Sequence, residues 1–333
     1  MRTASAILLL TAAACGPTAK GSGGQPSYAE AVPGGIGDPD GFVTYVFEKR
    51  IWRVEAEEGA VPVDLSAGLD PLGAGEDEAP AVSKSGAWMT LVTTRFGCSD
   101  QPCLVVVPAD LAQAAPVKID RRNVTPTGRA AISDDGSLIV FSWNDGPHPL
   151  DLFAIRREGQ TWVGPTLLTR SSSEPYNDLA VLSSDGERVL FDCGPVAYSQ
   201  EGTDICEIKT DGTGFRKLVD SDRHPGGESG EFAVHHPDYA PEGAIVFEAD
   251  WSGEKIWALL PGAVKPELLG DQYNNDNSPC VLPSGHIVSL WLGRPEGTGI
   301  HELKVMDGDG SDAIILTGKT TDVTDVGMSC HGG

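Results

Sequence analysis

The chain has 333 residues, with 48 acidic and 24 basic side chains and a formal charge of −24. A surface this acidic repels phosphate backbones, which argues against nucleic acid as a partner and favours cations or basic protein surfaces. The 41 glycines and 24 prolines sit at regular turn positions, which excludes a disordered, low-complexity chain.

The N-terminus reads as a targeting segment. Met1 and Arg2 form a minimal positive region, and Ala4 to Ala14 form an apolar run too short to span a bilayer. Ala12, Ala13 and Ala14 then precede Cys15. The pattern resembles a bacterial lipoprotein signal, with alanine at position 12 where that family prefers leucine. The resemblance implies that residues 1–14 are a signal peptide and that Cys15 is lipidated. The alternative is ordinary secretion with cleavage nearby. Residues 15–41, rich in Gly, Pro and Ser, read as the lipidated cysteine and a flexible tether. Both readings place the protein outside the cytoplasm. The first anchors it in the bacterial cell envelope, facing the periplasm or the cell surface, and meets the membrane through the lipid alone.

The folded part, 42–333, is built from a repeat. Its blocks run "APAVSKSGAWMTLVTT", "RAAISDDGSLIVFSWN", "LAVLSSDGERVLFDCG", "HPDYAPEGAIVFEAD" and "SPCVLPSGHIVSLWLG". Their shared glycines are Gly86, Gly136, Gly186, Gly243 and Gly285, so the period is 42 to 57 residues. A period of that length, rich in short strands, predicts a β-propeller. The first strand of each block ends near a turn such as Ser133-Asp134-Asp135-Gly136, where glycine accepts positive φ. A β-branched strand follows ("LIVFSW", "RVLFDC"), then a third ("DLFAIRR", "DICEIKT") and a fourth ("PTLLT", "RKLVD").

The two ends complete the count. Residues 42–66 supply strands two, three and four, and 325–333 read as a lone first strand. Pairing them predicts an all-β, six-bladed propeller closed by a C-terminal strand that completes the first blade, which leaves no open edge. The other blades are expected at about 76–120, 127–169, 177–219, 233–269 and 276–317.

Setting Cys15 aside leaves six cysteines, an even number in an exported chain. Cys98 and Cys103 flank a tight turn, Cys193 and Cys206 lie on one expected hairpin, and Cys280 and Cys330 lie on inner strands of neighbouring blades. Three disulfides in that pairing are predicted. The third depends on strand register, because a slip of one residue turns the side chains apart.

The wording of the repeat resembles the TolB-type, WD40-like propeller family, whose blades carry an S-P-D-G core, a D-I strand and an L-T ending. Here these appear as "SDDGSLIVF" (133–141), "SSDGERVLF" (183–191), "DICEIKTDGTGFRKLV" (204–219) and "LKVMDGDGSDAIILT" (303–317). The resemblance covers roughly 42–333. It implies the fold and leaves function open, because the family holds scaffolds, enzyme gating domains and some lyases.

Chemistry is expected at the mouth of the channel. Eight residues before each shared glycine stand Glu78, Gly128, Asp178, His235 and Asn277, with Asp325 joining them if Gly333 is the last such glycine. Together with His236 these supply oxygen ligands for Ca²⁺, or oxygen and nitrogen for Mn²⁺ or Zn²⁺, in the central channel. The plainer reading of the same residues is a solvated polar channel. "DGDGSD" (307–312) fails as an EF-hand, because Asp312 stands where the loop needs glycine and Gly318 where it needs glutamate. No nucleophile elbow, zincin, P-loop or dinucleotide motif is present. Two functions follow. The first is a membrane-tethered, non-enzymatic propeller that binds an envelope protein or a small ligand. The alternative is a metal-dependent, lyase-like enzyme acting on an extracellular saccharide, with His235 or His236 at its metal.

Overall fold

The computed structural model describes residues 27–32, 38–99, 101–108, 114–119, 121–196, 202–228, 230, 232–270, 276–292, 301–317 and 328–332. Cys15 and Asp325 therefore lie outside the described residues.

Six four-stranded antiparallel sheets form the blades. In blade 1 the inner strand is Ser329–His331, followed outward by Phe42–Phe47, Arg50–Glu55 and Val63–Asp64. Blade 2 starts from the inner strand Asp77–Val82, blade 3 from Ala130–Ile132, blade 4 from Tyr176–Leu182, blade 5 from Val234–Tyr239 and blade 6 from Asp276–Val281. The C-terminal strand closes the ring with Val43 opposite Cys330 and Phe42 opposite His331. The blades and the closure are those expected from the repeat. An extra two-stranded hairpin, Lys118–Ile119 with Arg122–Asn123, follows blade 2.

The repeat motifs do identifiable work. In blade 3 the Ser133 N–H donates to the Leu138 carbonyl at 3.0 Å and the Gly136 N–H to the Ser133 carbonyl at 2.9 Å. The Asp135 carboxylate fastens this turn by accepting from the Ser133 hydroxyl at 2.6 Å and the Ser137 N–H at 2.9 Å. Gly136 has φ +66°, and a Cβ there would also meet the Trp88 ring of blade 2 at 2.5 Å. That single glycine thus answers both a left-handed turn and a close approach between blades. At the other end of the blade, the threonine of the L-T ending accepts from the third strand. Thr169 Oγ1 takes the Leu152 N–H at 3.0 Å, and Thr317 Oγ1 takes the Leu303 N–H at 2.9 Å.

The core lies between blades, in clusters such as Val140, Leu152, Leu182, Val189 and Phe191 between blades 3 and 4. Cys98–Cys103, Cys193–Cys206 and Cys280–Cys330 are all bonded, with Cα separations of 5.8, 5.9 and 5.6 Å. Three disulfides in one chain are the chemistry of an oxidising, exported compartment.

One segment departs from the expectation of a flexible tether over 15–41. Residues Tyr28–Ala31 form a short helix capped by Ser27 and Glu30. Tyr28 is fully buried, its hydroxyl donates to the Gly285 carbonyl at 3.1 Å, and its N–H donates to the Glu267 carboxylate. Tyr28 and Val32 pack with Val246, Leu260 and Ile287 of blades 5 and 6. An aromatic ring and a valine that fill a seam between blades outweigh the Gly/Pro-rich composition around them.

Candidate functional site

The inner strands are not regular. In blades 2, 4, 5 and 6 the register to the second strand slips after Glu78, Asp178, His235 and Asn277. The next residue in each case, Ala79, Leu179, His236 or Ser278, has φ between +46° and +53°. Each is a β-bulge with a left-handed residue. Pro80, Pro237 and Pro279 follow three of them, where a missing N–H leaves no gap in the ladder. In blade 3 the left-handed residue comes one place earlier, at Gly128 with φ +83°.

Glu78, Asp178, His235 and Asn277 thus stand at the same point of their strands, and their side chains make different contacts. His235 turns toward blade 4, and its Nδ1 lies 3.1 Å from Asp192 Oδ2. His236 turns toward its own second strand, with Nδ1 3.2 Å from Glu248 Oε2, which also accepts the Ser278 N–H of blade 6 at 2.9 Å. Asn277 Nδ2 reaches Glu254 at 3.5 Å. Glu78 is exposed. Asp178 is buried and accepts the Leu179 N–H at 2.8 Å. It lies opposite Asp192 in the ladder, and both line a small pocket with Tyr176, Val196 and His235.

The expected ligands thus differ in their surroundings. No three His, Cys, Asp or Glu side chains among the described residues gather as a metal would need. The two histidines lean on separate carboxylates, and their ring centroids are 6.0 Å apart. Cys330 lies opposite Val43 as Cys280 lies opposite Val288, so Cys330 and Cys280 are equivalent.

The channel itself is crossed by two cations that the strand count missed. Lys84, just past the inner strand of blade 2, donates to both oxygens of Asp238 in blade 5, at 2.8 and 2.7 Å. In a ring of six those blades face each other. Arg129 of blade 3 donates to the Met328 carbonyl, beside the closing strand, at 3.0 Å. Small apolar side chains, Ala81, Ala131, Ala180 and Val181, line the rest. Among the described residues, then, charged side chains bridge the channel walls. The sequence signal was available: both cations stand on inner-strand repeats whose other members are neutral or acidic.

Electrostatics follow the same pattern. Burial works against a charged His235, but the hydrogen bond and charge of Asp192, with Glu248 and Asp250 behind it, outweigh burial and raise its pKa. Burial alone would raise the Glu248 carboxyl, but its hydrogen bonds from His236 and from the Ser278 N–H, and the charge of His236, hold it below its usual value. Arg129 is lowered by burial and opposed by Asp238, Asp192 and Asp178. His331 is fully buried beside Lys84, and both effects push its pKa well below the usual value.

The end of the ring where the inner strands begin is rich in acceptors. Four buried oxygens have no hydrogen-bond partner among the described residues: Ser142 Oγ, Asp192 Oδ1, Asn277 Oδ1 and Glu302 Oε1. All four sit where inner and third strands start or second strands end, which is one face of the ring. Trp251 is buried and donates to the Ser221 carbonyl at 2.8 Å, and Trp143 packs on Phe141 and Phe153.

Neither a known family profile nor a curated protein matches the chain. Solved structures do match. TolB from Acinetobacter baumannii superposes with a TM-score of 0.63 at 14% identity, over 88% of this chain and 67% of that one. A putative TolB from Agrobacterium tumefaciens gives 0.55 at 17% identity, over 88% of this chain and 98% of that one. A puromycin-hydrolysing peptidase from Mycobacterium tuberculosis gives 0.53 at 13% identity, over 82% of this chain but 41% of its own. Identities this low carry the fold and nothing about activity. On blade count, strand order and superposition alike, this chain has the six-bladed propeller fold of the TolB proteins.

Proposed function

We propose that this is an exported, non-enzymatic binding propeller that holds a cationic segment of an envelope protein on its acceptor-rich face. A lipid on Cys15 would keep it at the membrane. The observation that carries the reading is Asp192. Its Oδ2 takes His235, while its buried Oδ1 has no partner among the described residues and belongs to a pocket shared with Asp178. A buried carboxylate oxygen left unpaired is costly, by about 1–3 kcal/mol, and an incoming ammonium or guanidinium would satisfy it. The net charge of −24 draws such a group in. The Nδ1 contacts of His235 and His236 with Asp192 and Glu248 are also those that orient a metal-binding imidazole, so the rival, lyase-like reading is decided by the metal assay below.

The test is titration of the full chain with a lysine-rich peptide and with a glutamate-rich peptide of equal length. The lysine peptide should bind, and Asp192→Asn should weaken it about tenfold, as loss of one desolvated charge contact does. Equal binding of both peptides, or no effect of Asp192→Asn, defeats the reading. Elemental mass spectrometry on the same sample tests the rival: stoichiometric Mn, Zn or Ca that disappears in His235→Ala would restore the enzyme.

A further inference from the structure

A second surface has the opposite character. Between blades 2 and 3, toward the end of the ring opposite the acceptor-rich face, runs a groove of about 740 Å³. That is within the range of small-ligand sites. Trp88 and Trp162 form part of its lining, with Lys118, Arg121 and Arg157 beside them. In a chain with twice as many acids as bases, no carboxylate pairs with these three cations among the described residues. Elsewhere the basic side chains are mostly spent: Arg50, Arg95, Lys84, Lys217, Arg216 and Lys304 all hold carboxylates.

The groove is assembled from two hairpins. Arg157 and Trp162 are cross-strand partners on the outer hairpin of blade 3. The Arg157 guanidinium lies over the Trp88 ring of blade 2, 5.7 Å from its centroid, which fixes the charge toward the groove. Lys118 and Arg121 come from the extra hairpin after blade 2, whose Ile119 packs on the core between the blades. Arg121 holds φ +67°, where glycine or asparagine would sit more easily.

We propose that this groove binds an acidic oligosaccharide, with uronic carboxylates on Lys118, Arg121 and Arg157 and a sugar face on Trp162. Cations alone would suit any anion, and the Trp162 indole supplies the flat apolar surface that a sugar ring needs. A phosphate group has no apolar face to lay on an indole. An acidic peptide adding as a strand meets Pro116 and Pro165 in the outer strands, which have no N–H to offer. The site is independent of the acceptor-rich face, and neither proposal needs the other.

Isothermal titration of the full chain with trimannuronate, the neutral mannotriose, pyrophosphate and phosphatidylglycerol vesicles decides it. Trimannuronate should bind about tenfold or more tighter than mannotriose, and Lys118→Ala/Arg121→Ala should remove about that factor. Trp162→Ala should weaken trimannuronate without restoring preference for the neutral sugar. Asp192→Asn, on the opposite face, should leave it unchanged. These changes at Lys118 and Arg121 lie on exposed side chains, and unchanged circular dichroism will show that the fold is kept. No binding of trimannuronate at millimolar concentration overturns the proposal. So does equal or tighter binding of pyrophosphate or vesicles, or binding indifferent to the double substitution.

Discussion

Two histidines show how far burial alone decides a side chain's chemistry. His235 and His331 both belong to inner strands, and their pKa values move in opposite directions because one faces carboxylates and the other a buried wall beside Lys84. The consequence for stability can be worked out by sign. His331 stays neutral when folded, so the unfolded chain binds the extra proton below about pH 6.5 and stability falls as the pH drops through that window. His235 is raised, so its contribution is fully present below about pH 6.5 and is lost as the pH rises through its folded value. In urea unfolding between about pH 5.5 and 8.5, the deficit of His235→Gln relative to wild type should therefore widen toward acid, and that of His331→Gln should narrow. The limiting slope for each is about 1.4 kcal/mol per pH unit. Parallel deficits across the range would show that neither ring titrates as its surroundings dictate.

The inner strand is the element on which the sequence reading went astray. Turns, second strands and blade limits were legible because Asp-Gly turns, β-branched runs and the L-T ending are local signals. The bulges were not, because a bulge is visible only against the partner strand. The one sequence trace of them is Pro80, Pro237 and Pro279, all six residues before a shared glycine, at a place where a central strand should avoid proline. Counting back from each shared glycine picked Glu78, Asp178, His235 and Asn277, which do stand at one point of their strands, just before the bulge, but their contacts could not be read from the count. The structure puts His235 on Asp192 and leaves Glu78 in solvent. Left-handed φ at a non-glycine residue costs about 1–2 kcal/mol. Ala79, buried with φ +48°, loses little by giving up its methyl group. Ala79→Gly should therefore raise the melting temperature or leave it unchanged, whereas Ala81→Gly, two residues on in regular strand, should lower it by the usual penalty of about 0.5–1 kcal/mol. If both substitutions destabilise equally, the bulge is not strained and its conformation has another cause.

At the scale of the whole molecule the question is what keeps a ring of six weakly joined blades closed. Net charge hides the answer as it hides the basic groove, because −24 describes a surface and not a distribution. Two covalent or ionic ties span the ring where hydrogen bonding is short. The closing strand has three residues in register with Phe42–Thr44, and Cys330 is bonded to Cys280 of blade 6, fifty positions away. Across the channel, Lys84 joins Asp238, and both are largely buried. The disulfide acts mainly on the unfolded chain, and a loop of that length implies about 2–4 kcal/mol. The ion pair acts on the folded ring: cutting Lys84 to methionine leaves Asp238 the Tyr239 and Val281 N–H groups but no countercharge, at about 3–5 kcal/mol, whereas Lys84→Met/Asp238→Asn removes both charges, keeps an acceptor for those donors and should recover most of that loss. The two ties differ in what failure looks like. Cys280→Ser/Cys330→Ser should lower the urea midpoint yet keep one transition, because the folded contacts between blades survive. Lys84→Met should, in addition, raise hydrogen exchange in the inner strands of blades 2 and 5 before global unfolding, because it loosens the native channel itself. If the double substitution is as unstable as Lys84→Met alone, the channel is held by the packing of Ala81, Ala131, Ala180 and Val181, and the charges crossing it are incidental.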